Sequence, residues 1–204
     1  MNYYSQLGQD EFVDELLSNK ENGFFVEVGA NNGLTHSNTF FFEKYRSWDG
    51  VCIEPQPDIF LELKNFRACR CIQAAIGLVT ELAAFTHVSG PSNELSGFVS
   101  CADHNRIEAE IKAFGGTLTE IQVPVVLLSK VLQGINRVDY LSVDVEGAEL
   151  DVLQSIDFSA VDIAVISVED NKGTGPCLSF LYDRGYRMVK KLEWDTIYAR
   201  LDLL

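Results

Sequence analysis

The sequence predicts a doubly wound α/β fold, a three-layer sandwich in which a mostly parallel sheet lies between two layers of helix. Three observations carry this expectation. The run Phe24-Phe25-Val26-Glu27-Val28-Gly29-Ala30-Asn31-Asn32-Gly33 is an apolar strand that ends in an acid and then in a glycine-rich turn. Twenty-one residues beyond Gly33, a second apolar run, Gly50-Val51-Cys52-Ile53, stops at another acid, Glu54, and is followed at once by Pro55. Strand-like and helix-like segments alternate along most of the chain. Two strands ending in carboxylates, with helix-length sequence between them, describe the nucleotide edge of a parallel sheet. Right-handed crossovers then wind helices onto both faces.

In order along the chain, Phe12, Val13, Leu16 and Leu17 recur at helical spacing, so Ser5 to Ser18 reads as an amphipathic helix with Ser5 as its cap, inside an N-terminal region of 22 residues. Asn22-Gly23 breaks it. Phe24 to Val28 is the first strand, and the segment from about Ser37 to Tyr45, with Phe40, Phe41 and Phe42 in the core, is the first crossover helix. Val51 to Ile53 is the second strand. Pro57, suited to the first turn of a helix, opens the segment through Phe66. Ala68 to Ile76 contains the third strand. After Gly77 the alternation lapses, with β-structure at Leu82 to Val88, a loop from Ser89 to Gly97 and a polar helix near Asp103 to Phe114. Regular order returns with Ile121 to Leu132. Val138 to Val143 is the fourth strand and Ile163 to Val168 the fifth, separated by a helix through Leu150 and Leu153. Tyr186 to Val189 and Thr196 to Ala199 close the sheet as an antiparallel pair.

At 204 residues, 47% hydrophobic and 23% charged, the chain suits a single domain over 1–204 with a sizeable core. No segment reaches the roughly 18 uninterrupted apolar residues of a membrane helix. Met1-Asn2-Tyr3-Tyr4 lacks the basic and apolar regions of a secretion signal, so a cytoplasmic protein is expected. Cys52, Cys69, Cys71, Cys101 and Cys177 are odd in number and three lie in apolar runs, which favours buried thiols over a disulfide framework. A formal charge of -14 argues against a nucleic-acid backbone as partner, because that needs clustered Lys and Arg, and favours neutral or cationic acceptors. The pairs Arg67 with Arg70 and Lys190 with Lys191 read as solvated surface.

The turn itself narrows the ligand. A dinucleotide site uses G-x-G-x-x-G, whereas this turn reads E-x-G-x-N-x-G, with Asn31, a residue tolerant of left-handed backbone, between Gly29 and Gly33. Glu27 would repel a nearby pyrophosphate and suits an ammonium group. S-adenosylmethionine carries an ammonium and no phosphate. Glu54 would accept hydrogen bonds from both hydroxyls of its ribose, with Gln73 and Ala74 beside the adenine. Against this, Gly29 and Gly33 could form a plain strand-to-helix turn, and Gln73 and Ala74 could be ordinary strand packing.

Several further pieces bear on the family: Ser5-Gln6-Leu7-Gly8-Gln9-Asp10, Phe25 to Gly33, His36-Ser37-Asn38-Thr39, Trp48 to Pro55, Leu95-Ser96-Gly97, and Val138 to Glu149 with its pattern S-x-D-x-E-G-x-E. On these, spread over nearly the whole chain, the sequence resembles the FkbM-type family of class I S-adenosylmethionine-dependent methyltransferases. The resemblance implies a Rossmann-like, seven-stranded methyltransferase sheet and transfer of a methyl group to a hydroxyl oxygen, often on sugars or polyketides. The acceptor does not transfer with the fold.

The fourth strand delivers Asp144 to the carboxyl edge of the sheet, with Glu146 one alternation later, and either could take the acceptor's proton. Glu146 could equally serve the following helix N-terminus, where negative charge is favoured. His36 is a third candidate, beside the cofactor turn; Ser37 and Thr39 could cap the helix or touch the donor's carboxylate. Asp144 with Asp170 and Asn171 offers a possible Mg²⁺ site of the catechol-methyltransferase type, although Asp170-Asn171-Lys172-Gly173 also has the composition of a turn. The segment 89–114 is expected to recognise the acceptor. A NAD-dependent oxidoreductase on the same sheet, or a module that binds S-adenosylmethionine without reacting, are the competing classes.

Overall fold

In the computed structural model, which describes residues 2–169 and 175–203, the first third of the chain runs α1 (Gln9–Leu16), β1 (Phe24–Val28), α2 (Phe40–Arg46), β2 (Asp49–Ile53), α3 (Pro57–Phe66) and β3 (Arg70–Ile72). Strand β1 and helix α3 have the bounds expected from sequence, and Pro57 opens α3 where its missing N–H costs nothing. Two helices start later than expected. Gly8, in left-handed backbone at φ 84°, sets the start of α1 at Gln9. Ser5 is not its cap; it forms a bridge to His36, and its N–H and hydroxyl both bond the Asp10 carboxylate. Helix α2 begins at Phe40 rather than near Ser37 because the three residues before it are bound to Glu27.

The middle of the chain departs furthest from the expectation. The expected third strand divides: β3 joins the large sheet, whereas β4 (Ala75–Ile76) leaves it to pair with a second one. That second sheet adds β5 (Glu81–Ser89), β6 (Gly97–Phe98) and, after helix α4 (His104–Phe114), β7 (Thr117–Val126), in the order β4-β7-β5-β6. Helix α4 is capped by Asp103, whose carboxylate accepts the Arg106 N–H at 3.1 Å. The segment 89–114 is therefore one part of a larger lobe over 75–126. Gln56, the N-cap residue of α3, ties that lobe down: its amide accepts from the Ser96 hydroxyl at 2.8 Å and donates to the Asn93 carbonyl at 3.3 Å.

The last third comprises α5 (Leu128–Val131), β8 (Arg137–Val143), α6 (Glu149–Gln154), β9 (Asp162–Glu169), α7 (Gly175–Tyr182), β10 (Tyr186–Leu192) and β11 (Asp195–Arg200). Helix α7 was not anticipated from its apolar run. The large sheet has seven strands in the order β10-β11-β9-β8-β1-β2-β3. Strands β3, β2, β1, β8 and β9 are parallel, and β11 is antiparallel to both β9 and β10, the reversal expected at the C-terminal end.

Alternation along the strands splits the core between the two faces. Val26, Val28, Val51, Ile53, Leu141 and Ile166 pack on one side. Phe25, Cys52, Tyr140, Val165, Phe41 and Phe42 pack on the other, and burial of each large apolar side chain contributes about 1.5–3 kcal/mol. Glu27, offset by two from Phe25, falls on this second face.

Candidate active site

Strand register explains why acids converge. Glu27 lies beside Cys52 on one neighbour and Ser142 on the other, and Ser142 lies beside Ser167. These four form one row across the second face. With a side-chain period of two, the next row towards the carboxyl edge is Gly29, Glu54, Asp144 and Glu169. Three of its four members are acids. A cleft of about 540 Å³ opens over this edge, within the size range of small-molecule sites, and is walled on its far side by Phe85, Asn93, Phe98 and Arg106 of the second lobe.

The cleft takes in Glu27, Gly29, Asn31, His36, Ser37, Glu54, Ala74, Asp144 and Glu146 from the residues singled out in the sequence. Gly33 and Gln73 do not line it. Gly33, at φ +78°, backs onto α3, where an added Cβ would come within 2.5 Å of Leu63 and 2.7 Å of Arg67. Gln73 is exposed. Asp170 and Asn171 lie outside the described residues.

Glu27 has partners that its sequence context did not reveal. Its buried carboxylate accepts from the Ser37 hydroxyl at 3.0 Å, the Asn38 N–H at 2.7 Å and the Thr39 hydroxyl at 2.7 Å. The Arg67 guanidinium closes the set at 3.0 Å. Arg67 also donates to Glu43 at 2.5 Å, to the Gly33 carbonyl at 3.3 Å and to the Thr39 hydroxyl at 2.9 Å. Its side chain is wholly buried, so the expectation of a solvated Arg67 is corrected, while Arg70 is exposed. A lone guanidinium met by two carboxylates can leave water because both signs of charge are compensated. The cluster pins the segment 33–39 to the end of β1. His36, exposed and in left-handed backbone at φ 57°, projects from that segment at the cleft.

Glu54 is 3% exposed at the tip of β2. Its two carboxylate oxygens accept the N–H groups of Asn31 at 3.0 Å and Gln56 at 2.8 Å. Burial pushes its pKa up to about 7 against the downward pull of those two bonds. Asn31 adopts the left-handed backbone that its side chain tolerates, at φ 46°. At Gly29 a Cβ would run into the Asp144 carbonyl, so only glycine lets β1 and β8 close together beneath the cleft.

Asp144, Glu146 and Glu169 each bring a carboxylate oxygen within 4.8 Å of the others. Asp144 opens to the water of the cleft, yet its setting among protein atoms, with the charges of Glu169 and Glu146, raises its pKa well above the usual carboxylate range. Desolvation and the Glu169 charge bring Glu146 to about 7, offset by Arg106, whose guanidinium approaches it at 3.4 Å. Glu169 directly follows the fifth strand expected over Ile163 to Val168. The available signal was register: Val143 pairs with Val168, so the following residues, Asp144 and Glu169, are neighbours. Gln6, from the motif Ser5 to Asp10, and Trp194 also line the cleft, as does Arg106, which carried no sequence signal for it.

The sheet order and the reversed strand beside its edge define a class I methyltransferase fold. A precorrin-6y C5,15-methyltransferase from Geobacter metallireducens covers 94% of this chain, and 87% of that one is covered in return, with a TM-score of 0.50 at 9% identity, a likeness of fold alone. The family model described as the methyltransferase FkbM domain matches residues 27–188, and the chain belongs to that family. It is 26% identical over 221 residues to methyltransferase sdnD of Sordaria araneosa, spanning 94% of this chain and 84% of that protein. It is 27% identical over 195 residues to methyltransferase 1 of Beauveria bassiana (strain ARSEF 2860), spanning 85% of this chain and 76% of that protein.

Proposed function

We propose that this FkbM-family methyltransferase uses S-adenosylmethionine to methylate a hydroxyl group of a small molecule or sugar. The observation that carries the reading is that one cleft takes in both Glu54 and Asp144, acids at the ends of strands that flank β1, in one row on one face of the sheet. The residues present fit the donor. Glu54 keeps a free lone pair on each oxygen beside its two backbone bonds, enough for a pair of ribose hydroxyls. Ala74 and Ile53 give an apolar wall for a flat base, and Gly29 and Asn31 let the turn approach the ligand closely.

When bound, the donor supplies a methyl carbon on a sulfonium leaving group. The chain's own task is to align the acceptor oxygen, exclude bulk water and remove one proton. Asp144 is the group we assign to accept that proton, because it lies at the end of β8 and opens directly into the cleft. Glu146 and the exposed His36 stand at the same cleft as further proton acceptors. Glu27 acts one step back: bound to Arg67 and to residues 37–39, it holds the wall in place. Ser37 serves that wall through its hydroxyl, and Gly33 does so by its packing on α3.

The lobe over 75–126, including the segment 89–114, faces the cleft from the opposite side and is assigned to acceptor recognition, with Arg106 as its cation at the site. The net charge of -14 supports a neutral or cationic acceptor over nucleic acid. No described helix is long and apolar enough to cross a membrane. A cytoplasmic setting is part of the same proposal, supported by Cys52, Cys69, Cys71 and Cys101, which stand as thiols rather than in a disulfide framework. The test is methyl transfer from radiolabelled donor to a panel of hydroxylated small molecules and sugars. Asp144→Asn should lower the rate at least ~100-fold while leaving S-adenosylhomocysteine affinity within about threefold. A rate unchanged in that variant removes Asp144 from the chemistry, and no transfer by the parent protein to any acceptor favours the binding module.

A further inference from the structure

We propose that Asp144, Glu146 and Glu169 form a binding site for one hard divalent cation at the floor of the cleft. The proposal deepens the methyltransferase reading and rests on it only for what the cation does, since binding is argued from the three side chains alone.

Geometry is the first argument. Oxygens that share a divalent cation at ~2.1–2.4 Å lie about 3 Å apart when adjacent and up to about 4.8 Å apart when opposed. The three carboxylates bring one oxygen each within 4.8 Å of the others, which a single ion can span. Asp144 and Glu169 follow the paired residues Val143 and Val168 on adjacent parallel strands, and Glu146 reaches them from the turn after β8, where its backbone is left-handed at φ 55°.

The second argument is an unmet partner. Glu169 is 8% exposed, lines the cleft, and has its Oε2 buried with no N–H or hydroxyl donor bonded to it among the described residues. Buried carboxylates are normally hydrogen-bonded, paired with a cation or metal-bound. The ion pairs described for this cluster amount to one: Arg106, half exposed, at 3.4 Å from Glu146. Neither Asp144 nor Glu169 has a described ion pair. Three carboxylates set side by side repel one another when ionised, and a bound cation competes with protons to relieve that repulsion. An all-oxygen set without nitrogen or sulfur selects Mg²⁺, Mn²⁺ or Ca²⁺ over zinc or copper.

This set shares only Asp144 with the trio of Asp144, Asp170 and Asn171 suggested by the sequence. A cation here would sit beside the acceptor's oxygen, and a carboxylate that gives it one oxygen retains the other for the acceptor's proton.

The test uses Mn²⁺ as probe on the full chain after EDTA dialysis, with neither donor nor acceptor present. Electron paramagnetic resonance of free Mn²⁺ should show one saturable site, weakened at least tenfold in Glu169→Gln and again in Asp144→Asn. Asp58→Asn, an exposed acid away from the cleft, should bind Mn²⁺ as the parent does. S-adenosylhomocysteine titrations on the same samples report folding and separate the two readings. Absence of saturable Mn²⁺ binding up to about 1 mM, the weak end for carboxylate sites, overturns the cation site and leaves the methyltransferase reading intact. Mn²⁺ binding undiminished in both cleft variants overturns it equally. Saturable Mn²⁺ binding without S-adenosylhomocysteine binding keeps the cation site and removes the donor assignment.

Discussion

Replacing Arg67 with Met should be the most damaging conservative-volume change in the wall of the cleft. The guanidinium is wholly buried and makes five hydrogen bonds, to Glu43, Glu27, the Gly33 carbonyl, Ser37 and Thr39. Two of these are to carboxylates, and charge-assisted bonds contribute about 1.5–3 kcal/mol each. Their sum, roughly 3–6 kcal/mol, agrees with the ~3–5 kcal/mol lost when one member of a buried pair is removed and the other charge is stranded. Against a total stability of ~5–15 kcal/mol, such a loss is a large fraction. The assay is urea unfolding of the parent, Arg67→Met, Glu27→Gln and the double variant. The double variant should cost less than the sum of the singles by about 2–3 kcal/mol, because Glu27→Gln removes the charge that Arg67→Met strands. Single costs below ~1 kcal/mol, or additivity within about 0.5 kcal/mol, would refute the claim that Glu27 and Arg67 are one buried unit.

Other expectations follow from the same geometry. Glu54 has a folded pKa near 7 against 4.5 in the open chain, so its contribution is fully present below pH 4.5 and is lost as pH rises through 7. The rise from 4.5 to about 7 corresponds to about 3 kcal/mol, and Glu54→Gln should flatten that part of the stability–pH curve in urea titrations between pH 4.5 and 8; an unchanged slope would show that burial does not raise the Glu54 carboxyl. Gly29→Ala forces a Cβ against the Asp144 carbonyl from a backbone at φ +82°. Strain of ~1–3 kcal/mol plus displacement of the turn should lower the melting temperature and weaken S-adenosylhomocysteine binding, and a variant that matches the parent in both would show that the turn has room to spare.

Much of the site was legible because strand grammar is local. Phe24–Val28 and Pro57–Phe66 announce themselves by an apolar run before an acid and by a proline before a helical pattern, and their ends were read directly. The start of α2 was not, because Ser37 to Thr39 look like helix caps until Glu27, ten residues upstream, claims them. Arg67 looked like half of a surface pair, since no local feature reports that α3 carries it back under Glu27 and Gly33. Glu169 was visible as a strand end, yet its place beside Asp144 depends on which strands are neighbours and in what register, a property of the whole sheet. The lobe over 75–126 was the hardest part. Strand β7 is exposed on both faces over Thr117 to Glu120 and β5 is buried on both at Phe85 and Thr86, so neither shows a clean alternation, and β4 follows β3 with only Gln73 and Ala74 between them while belonging to a different sheet.

Whether Glu54 holds the donor is read by calorimetric titration of the parent chain and of Glu54→Ala with S-adenosylhomocysteine and, separately, with NAD. The parent should bind S-adenosylhomocysteine one to one, Glu54→Ala should lose that binding, and NAD should give no heat. Binding of NAD without S-adenosylhomocysteine, or full affinity for S-adenosylhomocysteine without the Glu54 carboxylate, would contradict it.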